Sequence, residues 1–195
     1  MEIYRSNKLI DKYLDREKRE LYLVEAKKAN QFFNLFSRTI DDNTLEILLA
    51  ESLLPLELGW LDNIDDPILD IGSGWGIPAI PLLMARPDLK INLLERSTKK
   101  SDWLTYILSL LQLKAEVINA DLPELKSPDY YRLAITRQVA LDNRILKKIK
   151  AVSRETGQLI GYGPVPETKL LSDVQTVDFQ INEAPVKKIF ATRLF

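Results

Sequence analysis

The sequence predicts an α/β fold: a doubly wound, mostly parallel sheet of seven strands behind a helical N-terminal extension. Three observations carry that expectation. Short apolar runs alternate with longer amphipathic stretches from Pro67 to about Gly163, the pattern of strands joined by crossover helices. The first of these runs ends in "DIGSGWG", a glycine-rich turn from strand into helix. Ahead of it, residues 8 to 36 carry no proline or glycine and place apolar residues at helical spacing. The 195 residues suit one domain, with 1–60 as the helical extension and 61–195 as the α/β core.

The elements follow in order. Leu9, Ile10, Tyr13 and Leu14, then Leu21, Leu23, Ala26 and Ala29, mark the buried face of the first helical stretch. A break at Asp41-Asp42-Asn43 precedes a second helix from about Thr44, with Asn43 or Thr44 as its cap ahead of Glu46. "PILDIG" is the first strand of the core, and "GIPAIPLLMAR" a helix that tolerates proline near its first turn. "KINLLER", "AEVINA", "YRLAITR" and "GQLIGYG" are further strands, with helices at "SDWLTYILSLLQL" and "NRILKKIKAVSRET". "VQTVDFQI" and "KKIFATRLF" close the chain as a strand pair, expected to be a hairpin. The chain shows no internal repeat and no low-complexity segment.

Composition removes several chemistries. With no cysteine and no histidine, the chain lacks a disulfide framework, thiolate metal sites and the common zinc and triad arrangements. No metal is expected. A net charge of −1 means that any nucleic-acid binding must come from a local basic patch. The N-terminus has no apolar signal-like run, and no segment approaches membrane-spanning length, so a soluble, cytoplasmic protein without a membrane partner is expected.

The glycine loop narrows the choice of ligand. In a doubly wound sheet, ligands sit beyond the carboxyl ends of the strands, at the switch point. A dinucleotide fingerprint, G-x-G-x-x-G, would need glycine at position 77, which is Ile77. The observed G-x-G-x-G, with Gly72, Gly74 and Gly76 behind Asp70, is the motif of class I S-adenosylmethionine-dependent methyltransferases. Asp70 is placed to accept, directly or through water, from the methionine ammonium group. Glu95 ends the next strand, where a carboxylate accepts from both ribose hydroxyls. Ala120 and Asp121, after the third strand, are candidates for the adenine edge, and Asp121 reads equally well as a solvated strand end.

On these residues the sequence resembles the bacterial small-subunit ribosomal RNA guanine N7-methyltransferases, the glucose-inhibited division protein B (RsmG) family. The resemblance runs from about residue 20 to the end. The family's "NLT" recurs as "NLF" at Asn34 to Phe36, and its "DSL" as "ESL" at Glu51 to Leu53. Its "PGIPL" recurs in "GIPAIPLL", its "LLDSxxKR" as "LLERSTKK" at residues 93–100, and its "SRA" as "TRQ" at Thr136 to Gln138. The resemblance implies that Gly72, Ser73, Gly74, Gly76 and Glu95 bind S-adenosylmethionine, with Ala120 and Asp121 at the adenine. It implies ribosomal RNA or the small ribosomal subunit as partner, and Arg137 as the residue beside the transferable methyl. Lys99 and Lys100 match the family's basic pair at the cofactor rim. The chain departs from the family where Leu48 replaces a histidine, where Tyr162 replaces a lysine, and where Lys187 and Lys188 stand for a basic–histidine pair.

The chemistry that this implies suits a chain without histidine. Guanine N7 offers an in-plane lone pair and no proton, so methyl transfer to it needs positioning and no general base. Arg137 can donate a bidentate pair to O6 or phosphate; its alternative reading is a salt bridge closing the fourth strand. The "KKIK" run at 147–150 reads as a solvated helix face, and Tyr130, Tyr131 and Tyr162 as core or rim packing. Trp75 is open between packing on cofactor or base and capping the core against the N-terminal helices. Two other readings stay open: methylation of a different substrate on this scaffold, and a cofactor-binding protein without turnover.

Overall fold

The computed structural model describes residues 1–126 and 130–194. The last expected strand runs to Phe195, which lies outside the described residues. The chain forms β1 (Glu2–Tyr4), α1 (Ser6–Tyr13), α2 (Arg16–Phe32), α3 (Asp42–Ser52) and α4 (Leu54–Glu57) before entering the α/β core. The core follows as β2 (Ile68–Ile71), α5 (Ala79–Ala85), β3 (Ile91–Leu94), α6 (Thr98–Leu110) and β4 (Glu116–Ile118). A 3-10 turn at Leu122–Glu124 leads to β5 (Tyr131–Arg137), α7 (Asn143–Val152), β6 (Ser153–Tyr162), β7 (Leu171–Ile181) and β8 (Lys187–Leu194). All strands join one sheet in the order β1-β7-β8-β6-β5-β2-β3-β4, with only β8 antiparallel to its neighbours. Among the described residues, no helix is long and apolar enough to cross a membrane.

Four boundaries differ from the sequence expectation, each for a local reason. The sheet has eight strands instead of seven, because residues 2–4 add to the edge of β7 in parallel, Tyr4 opposite Ile181. That strand is held by backbone pairing and by the Asn182 side chain, whose Oδ1 accepts from Ser6 N at 3.1 Å; three largely exposed residues carry no periodic signal. The first helical stretch is broken at Leu14–Asp15, where Asp15 caps α2 by accepting from Lys18 N at 2.9 Å. The cap of α3 is Asp41, which accepts from Thr44 N at 2.8 Å, in place of Asn43 or Thr44. "SRET" opens β6 instead of extending α7, since Ser153 turns its hydroxyl back onto Ile149 O at 2.8 Å and pairs with Tyr131 across a bulge.

Alternation along the strands divides the core. Ile68, Ile91, Leu93, Leu133 and Ile135 face the side covered by α1–α6, while Leu69, Ile71, Leu94, Ala134 and Leu159 face α7 and the 3-10 turn. The N-terminal helices therefore pack on the sheet face beneath the glycine loop. Tyr22 of α2 stacks on Trp75 with ring centroids 5.5 Å apart, and Phe36 packs on it at 5.0 Å. The Trp75 carbonyl accepts from Tyr22 Oη and from Trp103 Nε1, both at 3.0 Å. Trp75 thus caps the core against the extension, one of the two roles its sequence left open.

Removing the hydroxyl in Tyr22→Phe leaves that carbonyl one donor, so chemical unfolding should show a loss of about 1 kcal/mol. Trp75→Ala empties the contact and should cost about 3–5 kcal/mol in the same assay.

Candidate functional site

Strands β2 and β5 lie side by side, and the chain leaves them in opposite directions, to β3 and β4 on one flank and to β6 on the other. That is the switch point at which a crevice opens beyond the strand ends. A crevice of about 620 Å³ lies there, of a size for a small-molecule ligand. Gly72, Ser73, Gly74, Glu95, Lys100, Ala120, Asp121 and Arg137 all line it. Three other sequence candidates sit elsewhere. Asp70 is beneath the loop, Gly76 is behind it, and Lys99 lines a neighbouring groove with Phe32, Trp103 and Tyr106.

Backbone amides hold the loop in place. Gly72 N and Ser73 N both donate to Leu94 O, at 2.9 and 3.1 Å, tying the start of the loop to the end of β3. Glu95 completes the tie: its Oε2 accepts from Gly74 N at 2.9 Å and its Oε1 from Ser97 N at 2.8 Å. This carboxylate is only 7% exposed yet borders the crevice, and each oxygen retains a lone pair for a further donor. Gly74 takes φ 60°, and a Cβ there would meet nothing closer than Gly72 O at 3.7 Å, so this edge of the loop is bare. Gly76 has a different constraint: at φ 108° its Cβ would fall 2.3 Å from Ile80 Cδ1, so glycine is needed for the turn into α5.

Asp70 is the unusual member. It is 1% exposed, and neither carboxylate oxygen has a hydrogen-bond partner. Burial pushes its pKa up to about 7, with the nearby Ser73 hydroxyl opposing the shift and the charge of Glu95 adding to it. A buried, unsatisfied carboxylate beneath a ligand crevice fits a ligand that brings a cation, as the ammonium of an amino acid would. Asp121 caps the 3-10 turn by accepting from Leu122 N at 2.9 Å, while its edge, with Ala120, faces the crevice.

A second cavity, of about 400 Å³, adjoins the first and shares Arg137 and Gln138 with it. Gln138 holds φ 57°, a left-handed conformation that swings the chain out from β5 between the two cavities. Arg137 makes the salt bridge that was one reading of its sequence position: Nη2 donates to Glu51 Oε2. It also stacks over the Tyr162 ring at 5.5 Å, and its Nη1 is buried without a partner. Glu51 is 2% exposed and takes Lys187 on its other oxygen at 2.5 Å. Burial raises the Tyr162 pKa and keeps the phenol neutral, with Arg137 opposing the shift. Leu48 is buried in the core. In the "KKIK" run, Lys147 and Lys150 are exposed on a solvated helix face, while Ile149 packs inward and Lys148 Nζ donates to Leu125 O at 2.9 Å.

Three contributors were missed from sequence. Glu51 was noted only as part of a motif, although an acid inside "LLAESLL" is itself a signal, because a buried charge needs a partner. Arg96 and Arg144 also line the crevice and make it more basic than Lys100 alone would. Arg144 lies in the first turn after the Asp142 cap of α7, a position that only the strand order brings to the site.

Comparison with solved structures defines the class first. A SAM-dependent O-methyltransferase of Thermotoga maritima superposes with a TM-score of 0.58 over 85% of this chain and 70% of that one, at 12% identity. The fold is therefore the Rossmann-like one of S-adenosylmethionine-dependent methyltransferases. Within it, the model of the GidB family, rRNA small subunit methyltransferase G, matches residues 15–187, and the chain belongs to that family. Ribosomal RNA small subunit methyltransferase G of Helicobacter pylori (strain HPAG1) is 36% identical over 121 residues. That match covers 60% of this chain and 65% of the relative, just under two thirds of its length. The enzyme of the same name from Mycoplasma capricolum is 30% identical over 169 residues, 86% of this chain and 72% of the relative.

The orphaned carboxylate has a measurable consequence. Its folded pKa of about 7 lies above the ordinary 3.8, so the folded protein binds this proton more tightly than the unfolded chain. Stability is then greatest on the acid side and is lost as pH rises from about 4 through 7. Relative to wild type, ligand-free Asp70→Asn should gain roughly 4 kcal/mol between pH 4 and pH 8, read from denaturant midpoints. Parallel pH profiles for the two proteins would contradict this.

Proposed function

We propose that this chain transfers a methyl group from S-adenosylmethionine to guanine N7 of small-subunit ribosomal RNA, as a cytoplasmic enzyme that needs no metal. The observation that carries the reading is the pairing of two cavities across Arg137. One is lined by bare glycine backbone and the buried carboxylate of Glu95, and the other is walled by Tyr162, Lys187 and Lys188. Membership of the family supplies the RNA class.

In this reading Asp70 accepts from the methionine ammonium, directly or through water, and the free lone pairs of Glu95 accept from the ribose hydroxyls. Gly72, Ser73 and Gly74 let the ligand approach main-chain atoms, Gly76 sets the turn behind them, and Ala120 with Asp121 meets the adenine edge. Bound there, S-adenosylmethionine supplies an electrophilic methyl on a sulfonium. Arg137 donates to O6 or phosphate of the acceptor and fixes its lone pair toward the reacting carbon. No side chain has to remove a proton, because N7 carries none. Lys100 at the crevice and Lys99 in the next groove, with Arg96 and Arg144, attract the RNA backbone.

Two measurements test the reading. Incubating the protein with labelled S-adenosylmethionine and unmethylated small-subunit RNA should place label in the RNA, and Arg137→Ala should lower turnover by roughly 10²-fold. Absence of label in RNA, with label in another acceptor or none, would overturn the assignment. In Gly74→Arg the new side chain enters the open edge of the crevice, so calorimetric titration should lose the binding heat while far-ultraviolet dichroism stays native.

A further inference from the structure

The methyl-transfer reading assigns Arg137 to the acceptor and leaves Glu51 without a task. Glu51 is an acid on α3, in the helical extension, reaching the end of β5 across the sheet face. It is 2% exposed and both its oxygens are used, one by Arg137 Nη2 and the other by Lys187 Nζ. Two cations, from β5 and from the first residue of β8, therefore converge on one buried carboxylate. The arrangement is asymmetric. The Lys187 side chain is 44% exposed, whereas that of Arg137 is 8% exposed and carries a buried Nη1 with no partner.

A salt bridge serving only to join α3 to the sheet would not leave a guanidinium nitrogen orphaned beside a cavity, since a buried donor without an acceptor is costly. Arg137 also borders both cavities, and the Tyr162 ring beneath it restricts its tilt. Glu51 and Tyr162 together fix the guanidinium plane while part of its donor fork stays free.

We infer that Glu51 is a positioning residue for the acceptor: it brackets Arg137 and Lys187 so that the free donor of Arg137 meets an oxygen of the incoming nucleotide and Lys187 meets its phosphate. The inference rests on the methyl-transfer reading and deepens it. It makes the helical extension part of the acceptor site, since Glu51 comes from α3. It also gives the second cavity an occupant, the acceptor nucleotide with its 5′ phosphate, held between Tyr162 and the Lys187–Lys188 edge. Glu51 borders that cavity with both oxygens already taken by Arg137 and Lys187, so it acts through the two cations.

The experiment is steady-state transfer of label to unmethylated small-subunit RNA, with S-adenosylmethionine affinity followed separately by calorimetry. Glu51→Gln, which keeps the shape and removes the charge, should lower kcat by roughly 10²-fold with cofactor affinity within about twofold of wild type. Adding Arg137→Gln to it should cost little beyond Arg137→Gln alone, because the two residues act as one unit. Lys187→Gln should raise KM for RNA several-fold and lower kcat less than Glu51→Gln does. If Glu51→Gln does not fold, Glu51→Asp retains the buried charge, draws it back by about one methylene, and should still cost roughly tenfold in kcat. A folded Glu51 variant with wild-type turnover, or losses that multiply in the double variant, would overturn the inference while leaving the methyltransferase reading intact. A wild-type protein that transfers nothing to RNA would sink both.

Discussion

One carboxylate holds the site open. Glu95 accepts from Gly74 N on the loop after β2 and from Ser97 N on the turn after β3, so the ends of two parallel strands are pinned to a single side chain. Parallel strands leave their terminal amides pointing out of the sheet, and unpaired buried amides are costly. By satisfying two loop amides just beyond those strands, Glu95 ties the glycine loop to the turn after β3, beside the bare edge at Gly74. Ser101 and Asn119 reinforce the same corner by donating to the Glu95 carbonyl at 3.0 and 2.9 Å. The carboxylate that braces the crevice is thus the same one that the proposed reading gives to the ribose.

Beneath the brace lies a deliberate electrostatic deficit. Asp70 sits in the middle of a strand, buried, with no donor for either oxygen, and the protein tolerates it by keeping it protonated into the neutral range. Arg137 mirrors it on the other side of the switch point, a cation with one buried nitrogen unanswered. A carboxyl with no partner and a guanidinium with one unanswered nitrogen thus lie on adjacent strands, β2 and β5. On the proposed reading, the cofactor's ammonium would meet the first and an oxygen of the acceptor the second. Such pre-formed dissatisfaction is how a site spends fold stability on orientation.

Much of this was legible in the sequence, and what escaped did so for identifiable reasons. The glycine loop, its acid, Glu95 and the alternation of strands and helices are local signals, and seven of the strands fell where the apolar runs placed them. Ala120 and Asp121, and Arg137 with Gln138, also reached the crevice, because residues at strand ends inherit their position from the fold. Edge strand β1 has three residues and almost no burial, so nothing in its sequence separates it from a tail. The placement of "SRET" depended on a hydroxyl folding back on its own helix, a choice made by the neighbouring strand. The partnership of Glu51 with Arg137 spans 86 residues, and that with Lys187 spans 136. No spacing rule reaches so far; only the strand order and the packing of α3 on the sheet bring them together.

Whether Asp70 is the carboxylate that the cofactor ammonium neutralises is tested most directly by the proton balance of binding. Titrating S-adenosylmethionine into the protein at about pH 6, in buffers of differing ionisation heat, gives the number of protons exchanged. Binding should expel about one proton from the wild-type protein and close to none from Asp70→Asn. Tight binding with the same proton balance in both proteins would contradict it.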